Sequence, residues 1–135
     1  MEHKRYSGIL LHPTSLPGEF GIGNLGPESL KFIDFLAEAG QSLWQILPLG
    51  PTGPGDSPYQ SFSAFALNPL LIDLNHFVNK GLISTGDLEE ARVQNTGRID
   101  YAFVNSTRSH IFTKAYRSFL TSAPDQDRKA LESFN

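Results

Sequence analysis

The chain has 135 residues, of which 39% are hydrophobic and 11% aromatic, enough apolar material for a core and a globular composition. A net charge near −3, a pI near 5.7 and no lysine/arginine cluster argue against nucleic acid or an anionic membrane as the main partner and leave neutral ligands open. With no cysteine, a disulfide framework and a thiolate metal site are excluded and a cytoplasmic location is expected, and no apolar run approaches the ~18 residues of a membrane span.

Met1 to Lys4 is followed only by Ile9 to Leu11 as an apolar stretch, too short for a signal peptide, so the sequon Asn105-Ser106-Thr107 is not expected to be used. Ser7 to His12 is a short continuous apolar run stopped by Pro13, which reads as a strand buried on both faces. Pro13, Pro17, Gly18, Gly21, Gly23 and Gly26 then break any periodicity until Pro27, a residue suited to the first position of a helix. Leu30, Ile33, Phe35, Leu36, Ala37 and Ala39 follow at helical spacing, with Lys31, Asp34 and Glu38 mainly opposite them, and Gly40 ends the helix as a C′ residue. Leu43 to Leu47 is a second short apolar run. Strand, helix, strand is a βαβ unit, expected to be parallel and right-handed.

Parallel α/β folds mount their binding groups at the carboxyl ends of the strands, here His12 to Ser15 and the loop after Pro48. Leu47 to Asp73 holds five of the nine prolines, interleaved with Gly50, Gly53 and Gly55. Proline restricts φ and glycine widens it, so this loop has a specified shape, and Tyr59, Phe62 and Phe65 distinguish it from a disordered linker.

Beyond Leu74 the pattern turns helical. Asp73 to Leu82 reads as a short helix stopped near Gly81, and Ser84 or Thr85 as the cap of another through Asp87 to Ala91. Asp100 is the expected cap of a longer helix in which Val104, Ile111, Phe112, Ala115, Phe119 and Leu120 recur at helical spacing. After Pro124, Asp125 to Phe134 reads as the opening of one more helix, with Leu131 and Phe134 on one face. The chain then stops without a helix-end signal, which reads as a cut.

Several residues bear chemistry. Gly21 to Gly26 matches G-x-G-x-x-G before a helix, but the strand ends eight residues earlier and no acidic residue closes the second strand, so a shaped turn is favoured over a nucleotide site. His12 is placed to act as a base or ligand-binding group. His3, His76 and His110 share no metal-like spacing with it, which favours a buried, hydrogen-bonded histidine. Asp56 is the one carboxylate in the shaped loop, whereas glycoside hydrolysis calls for a pair; Asp73 reads as a cap and Trp44 as core. Tyr59 is the best ligand candidate, because a tyrosine between Pro58 and Gln60 presents a flat apolar face and a hydroxyl that suit a sugar ring. Ser57 and Gln60 add short-range donors and acceptors, and the competing reading of Tyr59 is loop packing.

At these residues a resemblance is visible. SGILLHPTSLPG, FGIGNLG, LWQILPLGPTG and GDSPYQSFSAFALNPLLIDL, in that order and closely spaced, resemble the amino-terminal part of 4-alpha-glucanotransferases, the amylomaltase or disproportionating enzymes. The likeness is most specific over Ser7 to Leu74 and looser beyond, where it rests on helical character and on Arg98-Ile99-Asp100-Tyr101. It implies an α/β fold: residues 1–74 as the first βαβ unit and substrate loop of a (β/α)8 TIM barrel, and residues 75–135 as a helical inserted subdomain. It further implies transfer of α-1,4-glucan segments to glucose or another glucan through a covalent glycosyl-enzyme, with maltooligosaccharides as partners and neither metal nor organic cofactor. By the same likeness Ser57 and Tyr59 fall where the family contacts sugar beside the cleaved bond. Pro54 departs from relatives that carry an aromatic there, and no stacking is assigned to it. Such a barrel needs about 250 residues or more, and the family's catalytic carboxylates lie beyond position 135, so an amino-terminal fragment without transfer activity of its own is expected. A non-catalytic α-glucan-binding module is the alternative.

Overall fold

The computed structural model describes residues 5–63, 65–93 and 97–134; His3 lies outside them. Strand β1 (Gly8–Leu10) and strand β2 (Leu43–Gln45) pair in parallel, Gly8 opposite Leu43, Ile9 opposite Trp44 and Leu10 opposite Gln45, with helix α1 (Pro27–Glu38) between them in sequence. The strand–helix–strand order is as read from the sequence. Both strands are shorter than their apolar runs, because Pro13 and Pro48 lack the N–H that a ladder needs and the chain leaves β1 for a 3₁₀ turn over Pro13–Ser15. At Gly8 a Cβ would lie 2.4 Å from the Leu43 carbonyl oxygen, so the close approach of the strands there demands glycine.

The expectation that Ser7 to His12 forms a strand buried on both faces is corrected by the structure, and the second strand is little better covered. All three residues of β1 are exposed, and in β2 only Trp44 is partly covered. Burial of a parallel pair on two faces needs helices on both sides and strands at both edges. Among the described residues there are two strands and one crossover helix, so Ile9, Leu10 and Leu43 have no layer over them.

Helix α1 owes its ends to local chemistry. Pro27 occupies its first turn after the buried Gly26, whose N–H donates to Asn24 Oδ1 at 2.8 Å. At the other end Gly40 adopts φ 68°, its N–H donates to Ala37 O at 3.0 Å, and the Gln41 N–H donates to Leu36 O at 2.8 Å, a Schellman closure. Yet only Ser29 and Leu36 are buried along it, while Leu30, Ile33 and Phe35 are exposed. Phe32 meets the Trp44 ring edge-on at 5.0 Å, the contact that seats the helix on β2.

The core forms elsewhere. Phe20, Leu74, Ile83, Leu88, Ala91, Ile111 and Ala115 make one buried cluster, and Ile22, Leu70 and Val104 a second. Both clusters join residues from the turn region before α1 to residues after position 74. Besides Leu74 and Ile83, a 3₁₀ segment over Thr85–Ala91 and helix α3 (Tyr101–Ser122) supply the later part, and helix α2 (Asn75–Asn79) adds only the partly buried Phe77 and Val78. Helix α4 (Asp125–Phe134) buries nothing, and Phe134 on its expected apolar face is exposed.

The caps legible in the sequence operate here. Asp100 accepts from the Phe103 N–H at 3.0 Å to start α3, and Asp73 Oδ1 accepts from the Asn75 N–H at 3.2 Å beside α2. Gly81, at φ 68°, closes α2 as Gly40 closes α1, with the Leu82 N–H donating to Phe77 O at 2.9 Å. Ser84 and Asp87 form a capping box, although the element they start is 3₁₀ rather than α. Lys114 also pairs with Asp87, and the hydrogen bond from Lys114, with those from Ser84, holds the Asp87 carboxyl down to about 2. Along α3, Val104, Arg108, Ile111 and Ala115 are buried on one face, whereas Leu120 is exposed because the helix has run past its packing partners. Arg108 is 1% exposed; its Nη1–H donates to Ile72 O at 2.8 Å while Nε and Nη2 have no partner among the described residues. Burial lowers its pKa to about 10, with the Asp73 charge opposing.

Candidate functional site

The two loops that follow β1 and β2 meet. The Leu11 N–H donates to Gln45 O at 3.0 Å, and Trp44 Nε1–H, from the other strand, donates to Leu11 O at 2.7 Å. His12 is buried and caps the Pro13–Ser15 turn. Its Nδ1 accepts from the Thr14 N–H at 3.4 Å and faces Thr14 Oγ1 at 2.8 Å. An acceptor at Nδ1 of a neutral imidazole puts the proton on Nε2, which lies 3.4 Å from the Pro48 carbonyl at the start of the second loop. His12 is therefore the buried, partnered histidine favoured by the sequence. As expected for strand ends of a parallel pair, both loops open on one side.

The second loop is built from two consecutive turns. In Gly53–Asp56, Pro54 takes the second position, Gly55 the third at φ 89°, and the Asp56 N–H closes on Gly53 O at 3.0 Å, the pattern of a type II turn. Asp56 itself has φ 53°, the one left-handed non-glycine among the described residues, a conformation aspartate tolerates better than most. In Ser57–Gln60, Pro58 takes the second position and the Gln60 N–H donates to Ser57 O at 3.0 Å. The Gly53 N–H donates to Gln60 O at 3.0 Å and Thr52 bridges Ser61 in antiparallel fashion, so the two turns form the tip of a short hairpin. Gly53 is buried beneath Phe62, whose Cζ would sit 2.7 Å from any Cβ placed there. The base is closed where the Asn68 N–H donates to Leu49 O at 3.2 Å, Asn68 also capping the 3₁₀ turn over Pro69–Leu71.

This hairpin brings the three candidate residues together. Ser57 is half-buried between the turns, Gln60 is exposed with its backbone closing both turn and hairpin, and Tyr59 projects at 76% exposure. Among the described residues no side chain covers the Tyr59 ring at that exposure. Phe62 and Phe65, on the same loop, are likewise exposed.

The described strand-end loops hold no pair of free carboxylates. Glu19 is paired with Arg92, whose guanidinium also stands 5.6 Å over the Phe20 ring, and Asp73 is engaged as a cap. Burial, and secondarily the Asp56 charge, push the Tyr101 hydroxyl pKa up. No group of three or more metal-ligating side chains occurs among the described residues. A cleft of about 930 Å³ between the first loop and the start of α3 is lined by Thr14, Leu16, Ile99, Asp100 and Tyr101, and the Asp100 carboxylate is occupied with the α3 cap.

The glycines of G-x-G-x-x-G each have a packing reason. Gly21 adopts φ 76°; a Cβ on Gly23 would lie 2.2 Å from Pro13 O, and one on Gly26 would meet Asn24 Oδ1 and Asp73. They let the chain lie against its own backbone, the shaped-turn reading. Sequence reasoning missed the pairing of Thr52 with Ser61 and the left-handed Asp56. Pro54-Gly55 and Ser57-Pro58 carried the signal for both turns, but register across the hairpin is a tertiary property.

Comparison with known proteins places these features in context. The profile described as 4-alpha-glucanotransferase matches residues 11–135. The chain is 48% identical over 134 residues to the 4-alpha-glucanotransferase of Thermus thermophilus, covering 99% of this chain and 26% of that protein. It is 50% identical over 121 residues to that of Synechocystis sp., covering 90% and 24%. Its structure is similar to that of the amylomaltase from Streptococcus agalactiae in complex with acarbose, with TM-score 0.86, 44% identity, and coverage of 97% of this chain and 26% of the other. The chain thus spans about a quarter of the length of the relatives it matches.

Proposed function

The chain belongs to the 4-alpha-glucanotransferase family, and from that premise we propose that it is the amino-terminal part of an enzyme moving α-1,4-glucan segments to glucose or another glucan with retention. Its partners are α-1,4-glucans, maltooligosaccharides and glucose, and its location is the cytoplasm. In this reading β1, α1 and β2 are the first βαβ unit of a (β/α)8 barrel, and residues 75–135 are an inserted helical subdomain. Parallel pairing of the strands and the convergence of their two loops on one side support it.

The observation that carries the functional reading is the hairpin tip. Tyr59, backed by Ser57 and Gln60, stands out from a doubly turned, proline-fixed loop, offering a rigid ring and hydroxyl to a sugar at little cost in conformational entropy. The acarbose complex of the similar amylomaltase is in keeping with such a ligand. A retaining mechanism needs two carboxyl groups about 5 Å apart, one attacking the anomeric carbon and the other protonating the departing oxygen. The described loops supply sugar contacts without that pair, so the 135-residue chain is expected to transfer nothing by itself, and the chemistry belongs to carboxylates elsewhere in the complete polypeptide.

Tyr59→Ala in the complete enzyme tests this. The loss of stacking and hydrogen bonding should lower kcat/KM on maltotriose by about 1 to 3 kcal/mol with little change in Tm. Tyr59→Phe separates ring from hydroxyl. A variant that melts several degrees lower yet keeps half of the parent's kcat/KM would remove Tyr59 from the site. A chain of 135 residues that binds amylose, from a parent lacking transfer activity, would favour the binding-module alternative.

A further inference from the structure

The sugar-contact hairpin hangs from two consecutive carbonyls, and a different group holds each. Leu49 O accepts from the Asn68 backbone on the return leg of the same loop. Pro48 O faces His12 Nε2, a side chain 36 residues away on the loop after β1. His12 serves this carbonyl through an Nε2–H, and an Nδ1 that accepts from the Thr14 N–H goes with that tautomer in the neutral ring. Trp44 Nε1–H, donating to Leu11 O, holds the backbone just ahead of His12.

We propose that His12 is a positioning residue for glucan transfer: it acts through Pro48 to set where the hairpin presents Tyr59 and does not itself touch the sugar. This rests on the reading of Tyr59 given above. The role is distinct from capping, since one ring nitrogen caps the Pro13–Ser15 turn and the other reaches the hairpin base. The two functions separate by substitution. In His12→Asn the shorter side chain keeps an acceptor for the Thr14 N–H, a residue well suited to capping, but does not extend to Pro48.

In the complete enzyme, hydrogen exchange at the amides of Gly53, Asp56 and Gln60, all bonded within the hairpin, reads the clamp directly. In His12→Asn these three are expected to lose about tenfold in protection while the amides of α3 keep theirs. The kcat/KM on maltotriose is expected to fall about tenfold, and adding Tyr59→Ala should make it no more than about twofold worse than Tyr59→Ala alone. Unchanged hairpin protection in a folded His12→Asn protein, or losses that multiply in full, would overturn the proposal. Exchange is independent of turnover, so a wild-type enzyme that transfers no glucan while its hairpin loosens in the variant would sink the functional reading and leave the clamp standing. Should His12→Asn not fold, the imidazole ¹⁵N shifts of the wild-type protein decide: an Nε2–H tautomer is expected, and an Nδ1–H tautomer refutes the clamp.

Discussion

Helices α1 and α3 were equally legible, yet they end in opposite circumstances. Helix α1 has proline at its start and a Schellman glycine at its end, but it buries only Ser29 and Leu36 and leaves Leu30, Ile33 and Phe35 to solvent. Helix α3 starts on Asp100 and buries Val104, Arg108, Ile111 and Ala115 against the glycine-rich turn and the 3₁₀ segment. The difference teaches that end signals make a helix while a second layer makes a core. The βαβ unit presents apolar faces that nothing among the described residues covers, whereas the segment after position 74 packs on the glycine-rich turn as well as on itself. Under the proposed barrel, the remaining strands and helices of the longer polypeptide cover those faces.

The largest effect that sharpens this contrast is at Leu88, fully buried in the main cluster. Leu88→Ala should cost about 2 to 5 kcal/mol by denaturant unfolding, the lost transfer energy plus a cavity. A smaller, opposed pair lies at two glycines. In Gly23→Ala the new methyl would sit 2.2 Å from the Pro13 carbonyl oxygen with backbone on both sides, and a loss of about 1 to 3 kcal/mol is expected from overpacking where the turn region meets its own chain. In Gly40→Ala nothing lies within 4 Å of the methyl, so only the left-handed backbone is strained, at about 1 kcal/mol. Reversal of that order, measured by the same unfolding, would show that the turn has room the contacts deny. The smallest effect belongs to α1. Leu30→Ser should change the stability of this chain by no more than about 0.5 kcal/mol while reducing self-association in sedimentation, because the side chain is 62% exposed. In the complete polypeptide the same change should cost as much as a core substitution. Equal, small effects in both would leave the face of α1 without a partner and break the barrel reading.

The hairpin shows a finer version of the same division. Proline and glycine at 54, 55 and 58 announced a shaped loop, and the two turns they specify are present. That Tyr59 projects while Gly53 lies buried under Phe62 was not legible, since it depends on Thr52 finding Ser61 across the tip. Likewise His12 was readable as a buried histidine with a partner, but beside the local Thr14 its second partner came from another loop.

By itself the sequence determined what rests on short-range geometry. The βαβ order, the stops at Gly40 and Gly81, the caps at Ser84 and Asp100 and the turns around Pro54 and Pro58 follow from φ limits and missing or offered hydrogen bonds within a few residues. The ordered motifs from Ser7 to Leu74 also identified the family. Only the tertiary structure decided that the strands are exposed and that the glycine-rich turn seats on α3. It alone buried Arg108 against Ile72 and tied His12 to Pro48. Burial and long-range hydrogen bonds depend on which distant segment arrives at a surface, and for residues separated by 36 positions no local preference carries that information.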